Sequence, residues 1–93
     1  MNDIVIFHVG GWEGLYVNGK FHDEKDIFYI EDISDLVPIN SLFEIWLTGN
    51  LNEDGNNFRD CPEFSNYKTV KDILEMFPAV VKRYSKLKEY FGE

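Results

Sequence analysis

The stretch Ile4-Val5-Ile6-Phe7-His8-Val9 constrains this chain more than any other part of it. In an extended chain successive side chains point to opposite faces. Ile4, Ile6 and His8 then share one face, and Val5, Phe7 and Val9 share the other. Both faces are apolar, which places the strand centrally in a sheet covered on both sides. Gly10-Gly11 ends the run.

The material for two covering layers is limited. The chain has 93 residues, read as one domain spanning 1–93. Ordering costs about 1.5 kcal/mol per residue, and burial returns about 25 cal/mol per Å². The one cysteine, Cys61, rules out an intrachain disulfide and a Cys-cluster zinc site. The eight Phe, five Tyr and two Trp must therefore supply much of the core. Little apolar surface is left for a deep ligand pocket, so an enzyme is not expected.

Local signals define the remaining elements. Asn18-Gly19 lies between the strand-like runs Leu15-Tyr16-Val17 and Lys20-Phe21-His22, which predicts a type I′ hairpin. A two-residue loop pairs Val17 with Lys20 and Tyr16 with Phe21. Residues 23–38 are ambiguous, and Ile27-Phe28-Tyr29-Ile30 reads as a run able to extend the sheet. Glu31 to Val37 has acids in its first turn and reads as a short helix that Pro38 ends. Ser41 to Thr48 reads as a strand, with Phe43, Ile45 and Leu47 on its apolar face and Leu42, Glu44 and Trp46 on a mixed one.

Residues 49–67 are Asn- and Gly-rich without periodicity and read as a long loop. Thr69 and Asp72 resemble a capping box opening a C-terminal helix. In that helix Val70, Ile73, Leu74, Phe77, Val80, Val81, Tyr84, Leu87 and Phe91 keep one phase, and Pro78 should kink or break it. The expected fold is α+β: a small, mostly antiparallel sheet of three or four strands, with a hairpin at Asn18-Gly19, packed by this helix.

The formal net charge is −8, which disfavours a general role in binding nucleic acid or membranes directly. No apolar run reaches the ~20 residues of a membrane span. Met1-Asn2-Asp3 puts no basic segment before the apolar stretch, so no signal peptide is expected, and the location expected is cytoplasmic. The acids concentrate at Asp23, Glu24, Asp26, Glu31, Asp32 and Asp35. On one surface they would attract a basic partner and speed association; the plainer reading is a solvated face that keeps the protein soluble. Trp12, between glycines and beside Glu13, is a candidate binding anchor, because Trp is over-represented among such residues.

Other constellations carry less. Asn50, Asn52, Asp54 and Gly55 match the first half of an EF-hand loop, but Cys61 stands where a bidentate Glu is required, so no metal site is expected. His8 reads as a partly buried, hydrogen-bonded residue, and His22 has no second histidine at metal spacing. Cys61 has no identifiable His partner, and the chain holds no P-loop, nucleotide Gly-rich fingerprint or serine elbow. No catalytic residue and no cofactor are assigned.

The general profile, short, acidic, aromatic-rich and without a catalytic signature, is similar to small cytoplasmic inhibitor or immunity proteins, and that similarity assigns a role to no residue. The expected function is an acidic protein-binding module, an inhibitor or neutraliser of the kind phages and mobile elements encode. Trp12, Glu13, Asp23, Glu24, Asp26, Glu31, Asp32 and Asp35 are its candidate partner-binding residues. The alternative is a homo-oligomeric structural or housekeeping module that hides apolar surface through a sheet edge or the face carrying Trp46.

Overall fold

A computed structural model describes residues 1–47, 63–77 and 80–81. Four strands, β1 (Asn2–Val9), β2 (Trp12–Val17), β3 (Lys20–Lys25) and β4 (Ile39–Trp46), form one sheet in the order β3-β2-β1-β4. The doubly apolar strand β1 is internal, as its sequence requires. β1 with β2 and β2 with β3 are antiparallel, but β4 joins the far side of β1 in parallel.

The sheet is therefore mixed, which corrects the expectation of a mostly antiparallel one. The reason lies in residues 26–38. Two hairpin steps leave β3 running in the direction of β1. The link after it is too long for a tight turn, and it crosses the sheet before the chain re-enters beside β1. Parallel placement needs a crossover of about a dozen residues or more. This crossover contains α1 (Ile30–Ile33) and a 3-10 turn, Ser34–Leu36. The segment Ile27 to Ile30 adds no strand.

The hairpin forms in the expected register, with Val17 opposite Lys20 and Tyr16 opposite Phe21. Asn18 and Gly19 have φ of 53° and 83°, as a type I′ turn demands. Beyond Phe21 the pairing shifts: Leu15 faces Asp23 and Gly14 faces Glu24, so His22 is an extra residue in β3. An unbroken alternation would set Glu24 on the face opposite Phe21. The bulge puts both on the same face.

Both faces of β1 are covered. On one, Val5, Phe7, Val9, Tyr16, Ile45 and Leu47 are buried against Phe64, Val70, Ile73, Leu74, Phe77 and Val80. On the other, Ile4, Ile6 and Leu15 are buried with Ile33, and Phe28 and Leu36 pack against them. The first layer includes α2 (Val70–Leu74), where Asp72 N–H donates to Thr69 Oγ1 at 3.1 Å and Thr69 N–H to Asp72 Oδ2 at 3.1 Å. The capping box is thus real, and the expected apolar phase is buried at Val70, Ile73, Leu74, Phe77 and Val80. Pro78, the segment Asn50 to Asn56 and Cys61 lie outside the described residues.

The segment preceding α2 is not all irregular. A 3-10 turn, Phe64–Asn66, inserts a fully buried Phe64 into the core. Its ring stacks on Phe7 at 6.3 Å and meets Tyr16 edge-on at 6.4 Å. Gly14 makes the space: a Cβ there would lie 2.5 Å from Phe64 Cγ.

Candidate functional site

The bulge in β3 decides what Glu24 does. Its carboxylate accepts the Trp12 indole N–H at 2.8 Å and the Phe64 N–H at 2.9 Å on Oε1, and the Ser65 N–H at 2.9 Å on Oε2. Burial works to raise the Glu24 pKa, but the hydrogen bonds from Trp12, Ser65 and Phe64 outweigh it and hold the carboxyl below its ordinary value. Trp12 and Glu24 are thus brought together, half-buried, where they join β2 and β3 to the turn carrying Phe64.

Glu13 and Asp32 hold the crossover. Glu13 Oε1 accepts the Phe28 N–H at 2.9 Å, and Asp32 Oδ2 accepts the Tyr29 N–H at 2.7 Å. Lys25 Nζ donates to Asp32 Oδ1 at 3.1 Å and sits 5.7 Å from the centre of the Phe28 ring. The Tyr29 N–H and the Lys25 ammonium lower the Asp32 pKa, and the hydrogen bond to Asp32 raises that of Lys25. At the far end of the crossover, Asn2 Nδ2 donates to the Leu36 carbonyl at 2.6 Å.

The other four candidate acids, Asp23, Asp26, Glu31 and Asp35, are exposed. Between them the crossover also exposes apolar side chains: Ile30 is 82% exposed, Tyr29 58% and Ile27 41%. Sequence reasoning missed these as surface residues. The signal was the apolar run from Ile27 to Ile30, which is equally compatible with a strand; in the fold only Phe28 of that run packs against a core cluster.

A second polar group lies at the end of β1. His8 Nδ1 is 3.1 Å from Glu13 Oε2, and His8 Nε2 is 3.1 Å from Glu44 Oε1. Carboxylates only accept, so both contacts are hydrogen bonds when the imidazole carries a proton on each nitrogen. The ring stacks on Trp46 at 4.3 Å and 7°. Both nitrogens face protein carboxylates, so His8 is placed as a link between β1, β2 and β4. Trp46 itself is 53% exposed, and His22 is exposed at the bulge.

Among the described residues, no group of three His, Cys, Asp or Glu side chains is placed to hold a metal ion, and no helix is long and apolar enough to cross a membrane. No known protein family, curated protein or solved structure matches this chain.

Proposed function

We propose that this chain is a small protein-binding module that occupies a basic surface on a partner macromolecule and acts as its inhibitor or neutraliser. The observation that supports this most is the exposure of Asp23, Asp26, Glu31 and Asp35 along one stretch, from β3 to the turn after α1. The one base within that stretch, Lys25, is bound to Asp32. The summed field of the exposed carboxylates steers a basic partner toward the crossover. Glu13 and Asp32 act behind them by holding the crossover in place, while Trp12 and Glu24 tie β2 and β3 to the turn carrying Phe64. The cytoplasmic location expected from the sequence belongs to this reading.

The test is a pull-down from a native-like lysate, followed by association kinetics with the stoichiometric partner. Replacing Asp26, Glu31 and Asp35 by Lys should slow association about tenfold or more at low salt, and the difference should close as salt rises. Absence of any stoichiometric partner, or association insensitive to salt, would count against the proposal. A second reading, self-association, is favoured by the exposure of Leu42 at 49% and Trp46 at 53% on β4. Sedimentation at several concentrations separates the two.

A further inference from the structure

The reading above says what sign of charge the partner carries, and the crossover says more about its shape. Isolated exposed apolar residues are normal on a protein surface. Here Tyr29 and Ile30 are adjacent, 58% and 82% exposed, with Ile27 at 41% close by in the chain. Asp26 and Glu31 bracket them in sequence, and Asp35 follows; all three are exposed. Exposed apolar residues flanked in the chain by exposed acids match the composition of a protein interface, apolar in its core and polar at its rim.

The segment is also held before any partner arrives. Phe28 is bound through its N–H to Glu13, Tyr29 through its N–H to Asp32, and Asp32 to Lys25. Phe28 packs against the Ile33 cluster from below. Ordering costs that would otherwise oppose association have been met in folding.

Resting on the proposed function, we infer that Tyr29 and Ile30 form the docking face of this module. The partner it fits is a protein whose basic surface holds a shallow apolar depression, its Lys and Arg side chains lying opposite Asp26, Glu31 and Asp35. Charge selects this occupant. A second copy meeting the same face across a two-fold axis would bring the same acids together, and like charges across an interface are costly. An anionic membrane surface would repel them as well.

The test uses the full chain as bait for a displayed library of random short peptides, with one selected peptide then synthesised as the probe. The enriched sequences should carry Lys or Arg flanking apolar residues, and the probe should shift the amide resonances of residues 26–35. Ile30→Ser and Tyr29→Ser, each checked for an unchanged amide spectrum elsewhere, should each speed probe dissociation about tenfold or more with little dependence on salt. Asp35→Lys should instead slow association, and only at low salt. If basic peptides bind but neither serine variant changes dissociation, the docking face is refuted while binding of basic partners stands. If the enriched peptides are not basic, or none is enriched, both fall. A dimer that forms with rising concentration and is dissolved by Ile30→Ser would show that the face takes a second copy, which also overturns the inference.

Discussion

Glu24 joins three parts of the chain through one carboxylate, so its ionisation is part of the fold. Its hydrogen bonds from Trp12, Ser65 and Phe64 favour the charged form, and its pKa is held below the ordinary value. A depressed folded pKa stabilises the fold above the unfolded Glu value of about 4.3, and that stability is lost as pH falls through the folded value. Glu24→Gln should cost about 1–2 kcal/mol at neutral pH, the partial solvation of the group limiting the loss. It should also flatten the acid limb of stability measured by urea unfolding across pH. An equal loss at every pH would show that the carboxylate charge does not matter. Gly14 makes the second prediction at this scale. Gly14→Ala sets a Cβ against the Phe64 ring and should cost about 1–3 kcal/mol by denaturant midpoint. Combined with Phe64→Leu, the cost should fall below the sum of the two, because the residues share one space. Neither role was legible in sequence: Gly14 read as part of a glycine-flanked Trp segment, and Glu24 as one acid in a cluster.

At the scale of elements, the hairpin was readable and its bulge was not. Asn18-Gly19 specifies a turn through the backbone angles of the two residues themselves. His22 continues an ordinary alternation in the sequence, and only the pairing of Asp23 with Leu15 shows it to be extra. Deleting His22 leaves Phe21 opposite Tyr16 and brings Glu24 opposite Gly14 by plain alternation. The shortened chain should fold with the Trp12 indole proton still protected from exchange with solvent. Inserting a residue after Asp23 turns Glu24 to the other face, and that protection should vanish. Equal behaviour of the deletion and the insertion would remove the bulge from the account of how Glu24 is aimed. Exposure of Tyr29 and Ile30 belongs to this scale too, since it follows from where the crossover lies on the sheet.

For the whole molecule, the carboxylates bound in the fold contribute to the acid side of the stability curve and Tyr16 contributes to the alkaline side. Burial, and then the nearby charges of Glu24, Asp72 and Tyr67, push the Tyr16 pKa up. Its hydroxyl lies 2.6 Å from the Tyr67 carbonyl, to which it donates, and 3.2 Å from that of Phe64. A raised folded pKa leaves stability intact below the unfolded Tyr value of about 10, and that stability is lost as pH rises beyond it. Tyr16→Phe should therefore be less stable than the parent at neutral pH and lose less on going to alkaline pH; parallel alkaline limbs in thermal melts would refute this. What the sequence by itself determined here are features whose cause is local. Side-chain alternation along β1 and β4, the angles of Asn18-Gly19 and the Thr69–Asp72 box depend on residues a few positions apart. Tertiary structure alone decided the parallel placement of β4, the pairing of His8 with Glu13 and Glu44, the burial of Phe64 over Gly14 and the role of Glu24. Those contacts depend on which face a connecting segment crosses and on a one-residue shift of register, and neither leaves a periodic trace in the chain.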